Sequence, residues 1–312
     1  MDIQYIKMQK LLQEKSELNA RLKLIPYDGS IEIKEQGGNK YIYIRKRVLG
    51  KNTSNYVDVY SDELYEMISR QLRTAREYKK KIRAIDRELV LLGYEEKDLT
   101  SRILMNIDFA RANMKNYIYS QAILEGIATT FPQTETIIEN GKISNMKPTD
   151  VLKILNLKHA WEFTLDKDVI ASKTHYYILC KIAELVNEGF YEFGGKIRNV
   201  PVYISGSTYK PPIPIEIDVK ENIDKIVNRE DDLIDRVIDL CLYCMKTQIF
   251  LDGNKRSSVI FANHFLIANG GGLLMIQEEN VPKFKQLLVA YYEDRDNGEI
   301  KEFMKEECWK EF

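Results

Sequence analysis

Thr247-Gln-Ile-Phe-Leu-Asp-Gly-Asn-Lys-Arg-Ser-Ser258 is the stretch on which the reading of this chain turns. Apolar residues flank it at helical spacing, with Val237, Ile238, Leu240, Leu242 and Tyr243 before it and Ile260, Phe261, Phe265 and Ala268 after it. The pattern predicts helix, tight loop, helix. Gly253 and Asn254 tolerate left-handed backbone, and an Asp or Asn caps the helix that follows. The amides of Gly253, Asn254, Lys255 and Arg256 then point outward from a helix N-terminus with two cations beside them. Free N–H groups and the helix dipole both favour an anion such as phosphate there. Asp252 is an acid beside that site, and a divalent cation reconciles the two. The plainer alternative is an interhelix turn with a solvated Lys-Arg pair.

These residues resemble the signature of the Fic/Doc (Fido) family, H-x-F-x-[DE]-G-N-[GK]-R. Phe250, Asp252, Gly253, Asn254, Lys255 and Arg256 match. Lys255, and Val259 where many Fic proteins carry a second Arg, are closer to the Doc branch. Gln248 stands where the family has its catalytic histidine. The resemblance implies that Gly253, Asn254, Lys255 and Arg256 bind nucleotide phosphates and that Asp252 holds Mg²⁺. It also implies ATP as substrate, with transfer of AMP or another phosphate-containing group to a protein hydroxyl.

Two further stretches extend the likeness. Ser120-Gln-Ala-Ile-Leu-Glu-Gly126 resembles the family's inhibitory helix, [ST]-x-x-x-E-[GN], with Gln121 at the Ser/Thr position. By that resemblance Glu125 is inhibitory, and an acid in a last helical turn opposes the dipole and calls for a cation, for which Arg256 is the candidate. Val200-Pro-Val-Tyr-Ile-Ser-Gly-Ser-Thr-Tyr-Lys-Pro-Pro212 alternates and carries Gly and three prolines, which reads as a hairpin-like loop. It resembles the Fic flap, with Ser207, Thr208 and Tyr209 positioned to hold a target segment by strand pairing.

Composition is permissive. The chain has 312 residues, 44% hydrophobic and 30% charged, with a formal net charge of −1. That length suggests about two domains, and the charge gives no global attraction to nucleic acid or acidic membrane. No apolar run approaches the roughly 18–20 residues of a membrane span, and the start, Met1-Asp-Ile-Gln, lacks a signal pattern. The four cysteines, Cys180, Cys241, Cys244 and Cys308, have no framework spacing, so a cytoplasmic location is expected. Cys241-x-x-Cys244 lies in an apolar helical run and reads as buried small hydrophobes. His159, His175 and His264 read as packed or capping residues.

The N-terminal third has a different grammar. Ile3, Ile6, Leu11, Leu12, Leu18 and Leu22 mark a helix ending before Pro26. The period then changes to two in Ser30-Ile-Glu-Ile-Lys-Glu, in Lys40 to Leu49 and in Asn55 to Tyr60, with Gly37-Gly-Asn and Gly50-Lys-Asn as turns. A long helix capped by Ser61 follows, over about Asp62 to Leu92. We expect a coiled-coil helical hairpin carrying a short antiparallel β-meander, as an interaction module over residues 1–97. Residues 1–100 hold 20 Lys+Arg and 16 Asp+Glu. Arg45-Lys-Arg47 lies beside Tyr41 and Tyr43, with Lys40 and Lys51 nearby, a composition able to grip single-stranded nucleic acid. Partner recognition or self-association, including homo-oligomer formation, is the main alternative.

Residues 98–312 read as almost wholly helical. Ile103, Ile107, Ala110 and Met114 share one helical face. Phe131 to Lys142 reads as a polar connector, and helices follow over Lys153 to Phe163 and Asp168 to Leu185. Ile213 to Val219 leads into a helix over about Glu230 to Met245, and segments from Pro282 and from Glu299 close the bundle. The expected fold is therefore mainly α, a Fic-type helical bundle with a small β-hairpin flap. Its expected function is slow nucleotidyl transfer, since Gln248 cannot accept a proton at neutral pH although its carbonyl can orient a hydroxyl. A missing general base costs about 10²–10⁴-fold. A catalytically inactive nucleotide-binding switch, and hydrolytic removal of a modification by a Glu125-activated water, are the other two readings.

Overall fold

The computed structural model describes residues 3–48, 51–94, 98–140 and 146–311. Gly50 of the expected turn, the side chains of Ile3, Ile6 and Lys51, and the break at 95–97 lie outside the described residues, while Lys51 and Asn52, expected in that turn, already belong to a strand over Lys51–Val59. The chain divides into two compact units, Met1–Glu96 and Lys97–Phe312. No helix among the described residues is long and apolar enough to cross a membrane.

The first unit begins with α1 (Ile3–Lys23), followed by β1 (Ser30–Gln36), β2 (Asn39–Val48) and β3 (Lys51–Val59), and ends in α2 (Asp62–Leu91). The strands form an antiparallel sheet in the order β1-β2-β3. Ile42 pairs with Ile33 and Ile44 with Ile31, so period-two alternation puts these isoleucines on one face. Ile42 and Ile44 pack there on Ile68 and Leu72 of α2. Leu12 and Leu18 of α1 pack on Ile85 and Leu89, farther along the same helix. α2 is thus the spine, with the sheet on its first half and α1 on its second. The Ser61 hydroxyl caps it by accepting from the Leu64 N–H at 3.2 Å.

The second unit is a helical bundle. Its elements are α3 (Ser101–Ala112), α4 (Met114–Leu124), α5 (Phe131–Asn140), α6 (Pro148–Thr164), α7 (Lys167–Ile170), α8 (Tyr176–Val186), α9 (Glu216–Val227), α10 (Leu233–Thr247), α11 (Asn254–Ala268), β4 (Leu273–Leu274), α12 (Val281–Tyr292), α13 (Glu299–Phe303) and β5 (Trp309–Lys310). A 3₁₀ turn at Glu278–Asn280 precedes α12 and a π-helical turn at Met304–Cys308 follows α13. Every residue from Arg256 to Ile267 is buried, which makes α11 the helix around which the others pack.

The polar residues of α11 are satisfied locally. His264 lies between the Thr174 hydroxyl, 3.0 Å from Nδ1, and the Val169 carbonyl, 2.8 Å from Nε2. Burial pushes its pKa down to about 4, so it is a neutral packed histidine. Asn263 donates to the Leu274 carbonyl and accepts from the Leu274 N–H, at 2.8 and 2.9 Å. Cys241 and Cys244 are free thiols, buried on α10, and burial holds both above the ordinary thiol range.

Three expectations are corrected. Residues 131–140 form α5 instead of a polar connector. Thr130 and Gln133 make a reciprocal capping box, the Thr130 N–H donating to Gln133 Oε1 and the Gln133 N–H to the Thr130 hydroxyl. Ile137 and Ile138 are buried on the helix so begun. Lys142, at the end of the expected connector, lies outside the described residues. The helix expected over Asp168 to Leu185 is broken at residues 171–175 into α7 and α8. A further helix, α9, precedes α10 and buries Val219, Ile223 and Val227 at helical spacing.

Asn263→Ala should leave both buried peptide groups of Leu274 without partners. The expected loss is about 2–4 kcal/mol of stability, read as a lower urea midpoint, and an unchanged midpoint would contradict the role given to Asn263.

Candidate functional site

The site grows from the junction between α10 and α11. α10 ends at Gln248, a non-glycine residue in the left-handed region at φ 48°, a conformation that neighbouring structure must hold in place. The holder is Arg198. Its Nε donates to the Gln248 carbonyl at 2.5 Å, its Nη1 to the Val200 carbonyl at 2.8 Å and its Nη2 to the Pro212 carbonyl at 2.6 Å. One buried guanidinium therefore ties the end of α10 to both ends of the loop over residues 200–212. Burial lowers its pKa.

That arrangement corrects the expected hairpin flap. Residues 200–212 hold no strand. Pro201, Pro211 and Pro212 lack the N–H a ladder needs, and Arg198 takes carbonyls that strand pairing would have used. The segment is an irregular loop with a turn from Ile204 to Ser207.

Asn254 closes the signature loop. Its Oδ1 accepts from the Phe250 N–H at 2.9 Å, and its Nδ2 donates to the Phe250 carbonyl at 2.8 Å and to Gln248 Oε1 at 3.2 Å. The Asn254 side chain is thus a loop staple. Gly253 caps α11 at φ 75° without a side-chain hydrogen bond, so the first-turn amides receive no partner from the cap. A Cβ on Gly253 would also lie 2.9 Å from Asn187 Oδ1. Asn187 is fully buried and donates to the Asp252 carbonyl at 2.9 Å and the Gly194 carbonyl at 3.2 Å. Its Oδ1 has no partner.

Of the two expected cations, Lys255 is half-exposed and Arg256 is only 1% exposed. Arg256 donates from Nη1 to the Val186 carbonyl and from Nη2 to Asp252 Oδ2, both at 3.0 Å. Its Nε lies 3.7 Å from Glu125 Oε2, and neither atom has a hydrogen-bond partner. Glu125 reaches that position because α4 ends in a Schellman turn, with the Ile127 N–H on the Ala122 carbonyl, the Gly126 N–H on the Ile123 carbonyl and Gly126 at φ 80°. Gln121, at the position of the family's Ser/Thr, instead accepts from Trp161 Nε1 at 2.8 Å and donates to the Arg256 carbonyl at 3.4 Å. The structure thus brings Glu125, Asp252 and Arg256 into one cluster.

Lys285 of α12 is a member that sequence reasoning missed. Burial lowers its pKa, Lys255 lowers it further, and Glu125 opposes both. Gln248 is engaged at both ends of its amide: Nε2 donates to the Met245 carbonyl at 2.7 Å and Oε1 accepts from Asn254 Nδ2 at 3.2 Å. Asp252 is half-exposed with one carboxylate oxygen on Arg256. No group of three or more His, Cys, Asp or Glu gathers as a metal site among the described residues. A lone half-exposed carboxylate still fits Mg²⁺ carried on nucleotide phosphates, because Mg²⁺ uses one or two carboxylates plus phosphate oxygens and water.

Ser207, Thr208 and Tyr209 are gathered at the far end of α12. Glu293 Oε1 accepts from the Ser207 hydroxyl at 3.0 Å, the Thr208 N–H at 2.7 Å and the Thr208 hydroxyl at 3.0 Å. Arg295 pairs with its other oxygen. The Thr208 N–H, then Arg295 and the two hydroxyls, hold the Glu293 carboxyl down at about 2. Tyr209 stacks on Tyr292 with centroids 6.3 Å apart.

Comparison with known proteins agrees with this architecture. Residues 173–266, from the start of α8 to the end of α11, match the model of the Fic/DOC family. Residues 5–66 match that of a domain of unknown function (DUF6788). Comparison with the curated proteins gives no match. Residues 134–508 of Fic-1 from C. elegans share the fold at 19% identity and TM-score 0.52, over 76% of this chain and 72% of that one. A Fic family protein from Desulfovibrio desulfuricans G20 does so at 16% identity and TM-score 0.51, over 68% of this chain and 73% of its own. The second unit thus holds a Fic/DOC-family match over residues 173–266 and shares the mainly-α fold of those solved structures.

The Glu293 latch has a pH sign. A carboxyl lowered from 4.5 to about 2 contributes stability above about pH 4.5 and loses it as pH falls towards 2. At neutral pH, Glu293→Gln should speed hydrogen exchange at the Thr208 amide by roughly tenfold, and in the native chain the same rise should come only in that acid window. Exchange unaltered by the substitution would show that Glu293 does not anchor the loop.

Proposed function

We propose that the second unit binds a nucleotide and transfers AMP, or another phosphate-containing group, to a hydroxyl of a target protein, slowly. The observation that carries this reading is the α11 N-terminus. Its amides receive no cap, Lys255 stands half-exposed beside them, and Lys285 raises the local positive charge. Two lysines beside first-turn N–H groups are arranged for an anion. The amides of Asn254, Lys255 and Arg256 would hold phosphate oxygens with Lys255. Mg²⁺ on Asp252 would supply neutralisation of the transferred group's charge. Val200, Tyr203, Ile213 and Ile215 are exposed apolar side chains along the loop and its exit, which suits a protein target.

The residue at the base position limits the chemistry. Gln248 can orient a hydroxyl through its carbonyl but takes no proton from it. Its amide is already bonded to Met245 and Asn254, an observation that favours the second reading, a catalytically inactive nucleotide-binding switch. Glu125 beside Arg256 supports an obstructed resting state, because a carboxylate there competes with phosphate for the same cation.

The test is incubation with labelled ATP, Mg²⁺ and cell lysate. The native chain should label protein weakly, Gln248→His should raise labelling by about 10²–10⁴-fold, and Glu125→Ala should raise it in either background. Label appearing only with the histidine would favour the switch. Loss of activity in Glu125→Ala would favour the hydrolytic reading instead, and no label from any variant would overturn transfer.

A further inference from the structure

The outer face of the N-terminal sheet carries a second binding surface, independent of the nucleotide site. Alternation along β2 turns Ile42 and Ile44 inward and Tyr41, Tyr43, Arg45 and Arg47 outward. Tyr56 of β3 stands opposite Tyr43. The three tyrosines form one aromatic group, Tyr56 lying 6.2 Å from Tyr41 and 5.6 Å from Tyr43 between ring centroids. Tyr56 is 55% exposed and Val59 beside it 53%. Lys34 of β1 sits over the Tyr43 ring with its ammonium 4.4 Å from the centroid. Arg45 is exposed at the next outward position.

The Arg45-Lys-Arg47 run is therefore divided. Lys46 leaves the face and pairs with Asp28 at 2.6 Å, while Arg45 and Arg47 stay with the tyrosines. Glu32 shares the face, accepting from the Ser54 hydroxyl at 2.5 Å and pairing with Lys34 at 3.6 Å, so Arg45 is the cation the face offers beside the rings. Charge along the chain supports the same surface. Residues 1–100 carry four more Lys+Arg than Asp+Glu in a chain whose net charge is −1, so the surplus of cations lies in the unit that presents the aromatic face.

We propose that this face binds single-stranded nucleic acid. An exposed ring such as Tyr56, flanked by the half-buried Tyr41 and Tyr43, stacks with bases whatever the sequence, and cations at its edge meet the phosphates. A duplex hides its base faces and offers such a sheet only its backbone. An acidic protein would use Arg45 and Lys34 but would gain little from three rings in a row, so charge and aromaticity together favour a strand with unstacked bases.

The experiment is fluorescence polarisation of the full chain with a labelled single-stranded oligonucleotide of about 16 nucleotides, in RNA and DNA forms, against the matching duplex and polyglutamate at low salt. Single strands should bind at least tenfold more tightly than the duplex. Tyr56→Ala should weaken binding by about tenfold, the loss expected for one stacked base, while Tyr56→Phe, which keeps the ring, should bind as the native chain does. Arg45→Ala should weaken binding and flatten its salt dependence. Because Tyr56 is exposed, its removal leaves the sheet core intact, and an unchanged circular dichroism spectrum verifies this. Absence of single-strand binding, equal binding to duplex, polyglutamate binding as tight as the oligonucleotide, or indifference to Tyr56→Ala would each overturn the proposal.

Discussion

A guanidinium with 1% of its surface exposed sets the terms for the second unit. Removing a cation from water costs several kcal/mol unless charge and hydrogen bonds are returned to it. Arg256 recovers them from Asp252, from the Val186 carbonyl at the end of α8, and from the field of Glu125. Those partners belong to the signature loop, to α8 and to the terminus of α4. One buried charge thus requires three separate elements to meet at the start of α11. The same requirement draws Glu125 to within 3.7 Å of Arg256, so the meeting of α4, α8 and the signature loop follows from one electrostatic need.

Around that charge the loop is built from amides and small residues. Asn254 ties the loop to itself, Asn187 ties it to α8, and Gly253 fits only because no Cβ meets Asn187. Arg198 performs the corresponding task on the other side, fixing Gln248 in its left-handed turn and the proline-rich loop beside it. On the loop's far side Tyr209 stacks on the buried Tyr292 of α12.

Much of this was legible in the residues, for reasons that can be named. Periodicity gave away the α1–sheet–α2 order and α10 and α11, because each has a buried face of fixed period. The signature loop was legible in part: Gly253 is demanded by its left-handed φ of 75°, whereas Asn254, expected as a left-handed or capping residue, is helical and staples the loop through its side chain. α5 was missed because its opening is polar and contains Pro132, although Thr130 and Gln133 are a capping box. α9 was passed over because three buried residues, Val219, Ile223 and Val227, are sparse among charges. The loop over residues 200–212 alternates like a hairpin, and its prolines together with the carbonyl contacts of Arg198 exclude the ladder. Arg198, Asn187, Lys285 and Glu293 matter through tertiary neighbours from distant segments, and no local pattern marks them.

The central claim is that the α11 N-terminus and Lys255 form a nucleotide phosphate site. Titration calorimetry with ADP and Mg²⁺ tests it most directly, because binding is read without any need for transfer. The account predicts saturable binding at or below millimolar ligand, weakened by about tenfold in Lys255→Ala and tightened in Glu125→Ala. No heat of binding at millimolar ligand in either the native chain or Glu125→Ala would contradict it.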